Sequence, residues 1–427
     1  MTKYFCNPLN VDYRYQFNQQ VMPGMGEGAI EVSREAADPS MICFKGKYYI
    51  FASMTLGVWV SEDMANWEAK RLPDNLPFYD YAPDVRVIGD YVYFSASKRG
   101  EPCNFYRTKN IEEGPYEELK GTFDFWDPNL FVDVAGKVYF YWGCANMTPI
   151  WGVEMDPETM HPKTERIELV HGNWNENGYE VCGEDHCDLP LEDDALEAKY
   201  RGFMQMQGMD PDNLPPQMQG MANMLKGYVS GRPYIEGAWM DKHDGKYYLQ
   251  YACTGAQYNV YADGVYVSDS PLGPFKLAQN NPYSYKPGGF IPGAGHGSTM
   301  RAQNDNLWPP STMRISMNHN FERRVGVWSA GFDADGELFC NQRYGDWPLP
   351  VTGDKQDPWK DPEWMLLSYG KNATASSAEE GKGADKITDE NVRTWWRAAS
   401  ENPGEWVQLD LGETMDVRAV QVNFADD

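Results

Sequence analysis

Residues 232–252 read RPYIEGAWMDKHDGKYYLQYA, and the rest of the chain can be organised around this stretch. Two aromatic-rich runs flank the Asp-Gly turn at Gly245, which is the pattern of a β-hairpin. Glu236 stands at the start of the first run, and Gly237 lets the backbone approach a ligand closely. Apolar neighbours favour the protonated form of a carboxyl, so Glu236 is a candidate proton donor. The stretch alone fits an ordinary surface glutamate better, and the other repeats decide between these interpretations.

The same hairpin pattern recurs along the chain as a strand, a turn with a glycine and a second strand. The turn glycines are Gly46, Gly89, Gly136, Gly245 and Gly336. The first two are 43 residues apart, and the second and third are 47 apart. A repeat of about 40–50 residues with several strands is typical of a propeller blade. Five copies therefore predict an all-β fold with a five-bladed β-propeller over residues 1–350.

The interval between the third and fourth turn glycines is too long by about one blade, which predicts an insertion at about residues 163–228. Its composition changes to acidic residues and then to a methionine-rich tract, where we expect two short helices and a wall or lid over one face. Cys182, His186 and Cys187 are metal-ligand types, but their spacing is atypical of a metal site, so ordinary packing is the favoured interpretation.

The blade pattern stops near residue 350. A polar linker with proline is predicted at 351–369, and a second module at 370–427. Alternating apolar and polar residues at 417–422 predict a strand, so the module is expected to be the N-terminal part of a β-sandwich, truncated before it can close.

The acidic composition limits the partners. The net charge is −26 and the pI is near 4.6, which argues against nucleic acid and against an anionic membrane surface. A neutral oligo- or polysaccharide is the expected partner, and the oligomeric state is left open. We find no signal peptide and no long apolar run, which predicts a cytoplasmic protein as written, or a secreted one if a leader was removed.

Three carboxylates occupy the same position in their repeats. Asp38, Asp127 and Glu236 each lie eight or nine residues before the turn glycine of their own copy. Because equivalent strand starts of a propeller converge on one end of the channel, these side chains are expected in one pocket. Clustered carboxyls have pKa values that are pushed apart. Glycoside hydrolysis needs this, since one carboxylic acid protonates the leaving oxygen while one carboxylate activates water.

Further substrate-binding candidates are Asp84, Tyr81, Trp126, Trp239, His296 and Arg324. Asp84 is only five residues before its turn glycine, so it is expected deeper in the channel. The three aromatic residues lie beside strand starts, where they would either stack on a sugar or belong to the core. His296, wrapped by glycines, would face a metal ion, a water or the sugar. Arg323 and Arg324 are both considered as the sugar-binding cation.

Several motifs together resemble glycoside hydrolase family 43. They are Ala-Asp-Pro-Ser at 37–40, Ala-Pro-Asp-Val at 82–85, Asp-Pro-Asn-Leu-Phe at 127–131, Glu-Gly at 236–237 and Gly-Ala-Gly-His at 293–296. The resemblance implies a five-bladed propeller that inverts anomeric configuration. It implies Asp38 as general base, Asp127 as the residue that modulates pKa and Glu236 as general acid. His296 would match a histidine that lies near a calcium ion in some members, although no cofactor is required.

Residues 370–427 resemble the start of a discoidin-like (coagulation factor 5/8 type C) domain. Together the two resemblances predict an inverting exo-glycosidase that removes α-L-arabinofuranosyl or β-D-xylosyl units from plant-type glycans. A β-galactofuranosidase or galactan-type exo-hydrolase is the alternative within the same class. A non-catalytic carbohydrate-binding propeller is the alternative from another class. The sequence has Glu-Gly-Ala at 236–238 where the family usually has Glu-Gly-Pro, and it carries the insertion, which leaves the sugar undetermined.

Overall fold

A computed structural model of the 427-residue chain describes residues 2–22, 26–73, 76, 82–97, 102–121, 123–316, 319, 322–343 and 345–425. The chain begins with a short strand and a hairpin, β1 (Lys3–Phe5), β2 (Gln16–Met22) and β3 (Gly26–Ser33). After these strands the chain forms successive antiparallel sheets that make up the blades of a propeller.

The first two blades are four-stranded sheets in which each strand pairs with the next along the chain. The first contains β4 (Ser40–Phe44), β5 (Lys47–Phe51), β6 (Gly57–Ser61) and β7 (Glu68–Arg71). The second contains β8 (Asp84–Ile88), β9 (Tyr91–Ser95), β10 (Phe105–Thr108) and β11 (Glu117–Leu119). Gly46 and Gly89 make the first turn of each blade with φ of 83° and 59°, where a glycine is favoured.

The third and fourth blades have the same order of strands. The third contains β12 (Asn129–Val132), β13 (Val138–Trp142), β14 (Ile150–Met155) and β15 (Ile167–Val170). The fourth contains β16 (Tyr234–His243), β17 (Lys246–Thr254), β18 (Ala262–Ser268) and β19 (Lys276–Leu277), and β20 (Ser284–Tyr285) also pairs with β18.

The segment between these two blades holds the two predicted helices, α1 (Asp193–Met206) and α2 (Gln219–Val229). They pack on each other through Tyr200, Met204 and Ala222. The outermost strand of the third blade, β15, ends at Val170, so the segment outside the blades spans 171–233 and not 163–228. The sequence pattern does not distinguish β15, a short and exposed outer strand, from the loop that follows it, so the predicted boundary is too early.

The fifth blade is divided into two sets of strands. Its strands are β21 (Gly293–Gly295), β22 (Met300–Arg301), β23 (Leu307–Trp308), β24 (Pro310–Arg314), β25 (Arg323–Val327), β26 (Ser329–Phe332) and β27 (Leu338–Asn341). One set pairs in the order β21-β24-β25 and the other in the order β22-β23-β26-β27. Pro309 separates β23 from β24, which divides the second long strand of this blade into two pieces.

The repeat pattern predicted Gly336 in the first turn of the fifth blade, and this prediction is wrong. The turn at Gly336 joins β26 to β27, the third and fourth strands of its blade, whereas the other four glycine turns join the first strand to the second. The equivalent turn of the fifth blade contains Asp305 with φ of 60°, a conformation that Asp tolerates better than most residues. His296 lies nine residues before Asp305, and so it occupies the position that holds a carboxylate in three other blades.

The innermost strands β4, β8, β12 and β16 lie beside one another in this order, and β22 lies beside β4, which closes the ring. The N-terminal segment stabilises the closure. Asn7 Nδ2 donates to the carbonyl of Val327, and the amide of Val327 donates back to Asn7 Oδ1, both at 2.9 Å. A further strand, β28 (Leu349–Val351), pairs with β1. Apolar side chains fill the spaces between neighbouring blades, as Phe51 and Phe94 do between the first two.

The C-terminal module contains one described pair of strands, β29 (Asn372–Ala375) and β30 (Val407–Asp410). The strand predicted at 417–422 is absent there, and Val417, Val420 and Val422 are largely exposed. Alternation predicts a strand only where a partner covers its apolar face, and none of the described strands does so. Neither α1 nor α2 is long and apolar enough to cross a membrane.

A buried carboxylate connects three innermost strands. Asp84, at the start of β8, accepts hydrogen bonds from Asn129 Nδ2 at 3.0 Å and from the amide of Leu130 at 2.8 Å. Asn129 Oδ1 in turn accepts from the amide of Met240 in β16 at 2.9 Å. Burial raises the pKa of Asp84 to about 6, although Arg86 opposes this shift. Asp84 therefore holds the second, third and fourth blades in register.

We expect Asp84→Ala to lower the free energy of unfolding by roughly 2–3 kcal/mol, because two buried donors would lose their acceptor. Asp90→Ala is the matched control, since its side chain is 86% exposed in the first turn of the same blade. The control should stay within about 0.5 kcal/mol of the wild type. Urea unfolding followed by circular dichroism measures both. Equal losses in the two variants would contradict the bridging role of Asp84.

Candidate active site

The carboxylates that share a sequence register meet at one end of the channel. Asp38 and Asp127 lie two residues before β4 and β12, Glu236 is the third residue of β16, and His296 lies between β21 and β22. Asp38, Asp127 and His296 have φ of 52°, 52° and 50°. The left-handed region is uncommon for residues other than glycine. Its occurrence at the same position of three blades shows that these blades enter the channel with the same local geometry.

His296 lies between two of the carboxylates. Its Nδ1 is 3.2 Å from Asp38 Oδ1 and 3.7 Å from Asp127 Oδ2. Burial alone would lower the pKa of His296, but the attraction of the surrounding carboxylates, led by Asp38, outweighs burial and raises it. The imidazole therefore favours its charged form and offsets part of the negative charge of the pocket.

Gly237 packs against the ring of His296. A Cβ atom at Gly237 would lie 2.7 Å from Cγ and Cδ2 of the imidazole, and φ of Gly237 is 60°. Both the close approach and the backbone conformation require glycine here. The short connection between Gly237 and the proton-donor candidate Glu236 thus fixes the ring relative to the carboxyl.

Asp38 is surrounded by donors. Ser53 Oγ donates to Asp38 Oδ2 at 2.7 Å, and the amide of Asp38 donates to Thr312 Oγ1 at 2.7 Å. Arg323 Nη1 lies 3.6 Å from Asp38 Oδ1. Burial would raise the pKa of Asp38, but Arg323 and His296 outweigh it and hold the pKa below its usual value. Asp38 is therefore kept ionised.

Asp127 has the opposite tendency. Its amide donates to Ser97 Oγ at 3.0 Å, and its side chain is buried. Burial, together with repulsion by Glu236 and Asp38, raises the pKa of Asp127 well above its usual range, although His296 opposes the shift. Two carboxyls around one imidazole thus have pKa values that are moved in opposite directions, which is the arrangement that acid–base chemistry needs.

Both oxygens of Glu236 accept hydrogen bonds. Tyr261 Oη donates to Oε1 at 2.5 Å, and Cys144 Sγ donates to Oε2 at 3.4 Å. In addition to burial, the nearby charge of Asp127 contributes to the raised pKa of the Cys144 thiol. Glu236 is half-buried, more accessible than Asp38 and Asp127, which are 6% and 4% exposed.

A second set of small residues with a hydroxyl or a thiol surrounds the carboxylates, and the sequence motifs do not predict it. Its members lie seven or eight residues after the first turn of each blade, at the end of the second strand, and they are Ser53, Ser97, Cys144, Cys253 and Thr312. Four of them contact a carboxylate residue of the pocket, either in their own blade or in the next one. These residues could have been found in the sequence by counting seven or eight positions forward from each turn residue, as well as backward to the carboxylates.

Arg324 does not reach the pocket. Its guanidinium lies 4.6 Å from the ring centre of Tyr13 and donates to the carbonyl of Arg323 at 2.9 Å and to Glu322. The neighbouring Arg323 contacts Asp38 instead. Consecutive residues of β25 point to opposite sides, and the sequence does not show which side faces the channel.

Two other candidates lie inside the propeller and away from the pocket. Trp239 is 4% exposed, and Arg86 lies over its ring at 3.6 Å, so it cannot stack on a sugar. Asp84 connects strands, as described above. Trp126 precedes Asp127 and is half-buried, which leaves it a candidate for contact with substrate. Tyr81 lies outside the described residues.

Cys182, His186 and Cys187 do not converge on a metal. Cys182 Sγ donates to the carbonyl of Thr254 at 3.2 Å, and the two nitrogens of His186 contact the carbonyl of Val181 and Tyr285 Oη. Within the described ranges, the metal-capable group is Asp127, Glu236 and His296, whose ligand atoms lie within 4.8 Å of one another. Calcium prefers six to eight oxygen ligands, and two carboxylates with one imidazole do not supply them.

A family model described as Glycosyl hydrolases family 43 matches residues 32–183 and 194–338, which include the first four blades and the fifth as far as the start of its last strand. The chain belongs to glycosyl hydrolase family 43. The break in the match falls within the segment between the third and fourth blades. A second model, described as F5/8 type C domain, matches residues 372–427 of this family 43 glycosidase.

Relatives and solved structures agree with this assignment. The chain is 26% identical over 294 residues to "Xylosidase/arabinosidase 43A" of Humicola insolens, covering 56% of this chain and 77% of the relative. It is 23% identical over 274 residues to "Xylosidase/arabinosidase" of Bacteroides ovatus, covering 56% and 75%. A structure described as a thermostable family-43 glycoside hydrolase superposes with a TM-score of 0.52 at 19% identity, covering 77% of this chain and 97% of the other. The fold of the family 43 glycosidase is thus the five-bladed propeller.

We expect Gly237→Ala to reduce hydrolysis at least a hundredfold, because the added methyl group would displace His296 from the carboxylates. Gly245→Ala is the matched control, since φ of Gly245 is 83° but nothing lies within 4 Å of its added Cβ. Both variants carry backbone strain of about 1 kcal/mol, and only the first has the overlap. Steady-state kinetics and thermal unfolding of both variants separate the two effects. Similar rates in the two variants would contradict the role of the close approach.

Proposed function

We propose that this family 43 glycosidase is an inverting exo-glycosidase that releases terminal α-L-arabinofuranosyl or β-D-xylosyl units from plant-type glycans. The observation that carries the proposal is the pair of opposite pKa shifts, with Asp38 held ionised and Asp127 favouring its proton beside Glu236. The names of the two relatives, which are xylosidase/arabinosidases, support the choice of pentose.

In the proposed reaction Asp38 is the general base. It takes a proton from a water molecule whose oxygen forms a bond to the anomeric carbon. Glu236 gives its proton to the glycosidic oxygen as the bond from the anomeric carbon to this oxygen breaks, and the anomeric configuration is inverted. Asp127 shares its surroundings with Glu236, so a proton is retained on this side of the pocket. The charged imidazole of His296 keeps Asp38 in place.

The insertion contacts the loop that follows Cys144, which supports a role in choosing the substrate. Gly227 of α2 packs against Asn146 and Met147, just after Cys144. Asn146 Nδ2 donates to the carbonyl of Arg232 at 2.7 Å, which connects this loop to the strand of Glu236. We therefore propose that α1 and α2 limit the pocket to the end of a glycan chain.

The proposed reaction requires no metal ion, since Asp38 and Glu236 carry out both proton transfers. An oligo- or polysaccharide is the proposed partner. Trp126 is the aromatic residue that we propose for contact with the sugar. Arg323 is buried against Glu35 and Asp38, so we propose that it acts on the base and not on the sugar.

A p-nitrophenyl glycoside panel with α-L-arabinofuranoside, β-D-xyloside and β-D-galactofuranoside tests the sugar. We expect one of the two pentosides to be cleaved fastest, and NMR of the first product to show the inverted anomer. Preference for the galactofuranoside would favour the alternative glycosidase. Sugar binding with no hydrolysis of aryl glycosides or longer oligosaccharides would favour a non-catalytic binding propeller.

Glu236→Gln and Asp38→Asn test the roles. We expect each to lower kcat/KM on a natural glycan by roughly a thousandfold or more. With an aryl glycoside whose leaving group needs no proton, Glu236→Gln should recover much of its rate, while Asp38→Asn should not. Asp194→Asn, an exposed residue of α1, is the control and should leave the rate unchanged. An equal recovery of both variants would contradict the assignment of acid and base.

Removal of Arg323 should move the acid limb of the pH profile. Arg323 also pairs with the buried Glu35, so the double variant Arg323→Met/Glu35→Gln avoids an unpaired charge. The base must be ionised, and Arg323 lowers the pKa of Asp38, so the acid limb of kcat/KM should move to higher pH by roughly one unit. Glu35→Gln alone is the control, and it should not move the acid limb of kcat/KM to higher pH. An unmoved limb in the double variant would contradict this role of Arg323.

A further inference from the structure

We propose that Cys144 is a positioning residue for the proton donor, and that its thiol makes Oε2 of Glu236 the oxygen from which the proton is transferred. This inference rests on the proposed function of Glu236 as general acid. It is carried by the different donors on the two oxygens of the carboxyl, by the way in which Cys144 is held and by the comparison with equivalent residues of other blades.

The two oxygens of Glu236 have donors of unequal strength. The hydroxyl of Tyr261 is 2.5 Å from Oε1, whereas the thiol of Cys144 is 3.4 Å from Oε2. A hydroxyl bound to a carboxylate is a strong donor, and a thiol is a weak donor and a weak acceptor. A proton on Oε1 would break the stronger bond. A proton on Oε2 keeps it, and leaves a weak contact with sulfur that a glycosidic oxygen can replace.

The backbone fixes Cys144 between the acidic residues. The amide of Gly143 donates to the carbonyl of Trp126 at 2.9 Å, next to Asp127. Ala145 exchanges two backbone hydrogen bonds with Ile235, at 3.2 and 3.0 Å, next to Glu236. The residues on both sides of Cys144 are thus attached to the residues that precede the two carboxyls. The backbone of Cys144 is therefore held between the two carboxyls.

Cys144 remains a thiol in this place. Burial and the nearby Asp127 and Glu236 raise its pKa well above the usual value, so it is a donor and not a nucleophile. The equivalent residues of the first and fifth blades, Ser53 and Thr312, donate hydroxyl hydrogen bonds to the two carboxylate oxygens of Asp38, at 2.7 and 3.5 Å. The weaker donor therefore contacts the proton donor Glu236, whereas hydroxyls contact the proposed base Asp38.

Titratable groups from several neighbouring strands and loops interact electrostatically with Glu236. They are Asp127, Cys144, Tyr234, Cys253, Tyr261, Asp263 and His296. Among these, Cys144 can be changed to serine or alanine with no change of charge. A serine hydroxyl would stabilise ionised Glu236 more strongly than the thiol does, and alanine would remove the donor. The two variants should therefore move proton release by Glu236 in opposite directions.

The experiment is the pH dependence of kcat/KM for Cys144→Ser and Cys144→Ala on the aryl glycoside that the wild type cleaves. We expect the alkaline limb to move to lower pH in the serine variant and to higher pH in the alanine variant, each by roughly half a unit. Cys43→Ser is the control, a half-buried thiol in β4 away from the pocket, and its limb should not move. If Cys144 only fills space, both variants should have lower rates, and their alkaline limbs should not move in opposite directions.

A second measurement is independent of turnover. Carboxyl ¹³C NMR of glutamate-labelled protein, with the Glu236 signal assigned from Glu236→Gln, should show the same opposite displacement of the titration midpoint. Displacement in the same direction, or none, would overturn the inference about Cys144. If Glu236→Gln hydrolyses glycans at the wild-type rate, the proposed function fails instead, so the two failures are distinguishable.

Discussion

Repulsion among buried carboxyls around the imidazole of His296 is the interaction on which the pocket depends. Asp38 and Asp127 lie within 4 Å of Nδ1 of the ring, and both are nearly inaccessible to water. Charges in such a place are tolerated only when paired, and one positive ring cannot pair with every carboxylate. The protein resolves this by adding Arg323 on one side only. Asp38 gains the additional cation, and the pKa of Asp127 is raised above its usual range.

The propeller makes this asymmetry from nearly identical units. Four blades supply the pocket with one residue just before or at the start of the first strand, and four supply it with one small residue with a hydroxyl or a thiol at the end of the second strand. The small residue of one blade often contacts the acid of the next, as Ser97 does when it accepts a hydrogen bond from the amide of Asp127. The pocket is thus assembled across the boundaries between blades. Any slip of one blade against another would change the distances on which the proton positions depend, which explains why Asp84 and Asn129 are buried between the same blades.

The repeats predicted the fold and the three carboxylates because both follow the spacing of the turns. The register gave Asp38, Asp127 and Glu236 without any knowledge of contacts. It failed in the fifth blade, where Asp305 takes the place of a glycine and Gly336 starts a different turn. The choice between Arg323 and Arg324, and the burial of Trp239 under Arg86, depend on which way a side chain points. The spacing of residues in a single sequence does not contain this information. Consecutive residues of a strand point to opposite sides, and the spacing does not show which of them faces the channel.

The pairing of β1 with β28 has a consequence for how the protein can be connected to other modules. The two strands lie side by side, so the chain enters and leaves the propeller at the same edge. The polypeptide of the propeller is therefore almost circular. Moving the chain ends to an exposed blade turn, with a short peptide joining β28 to β1, should preserve the ring.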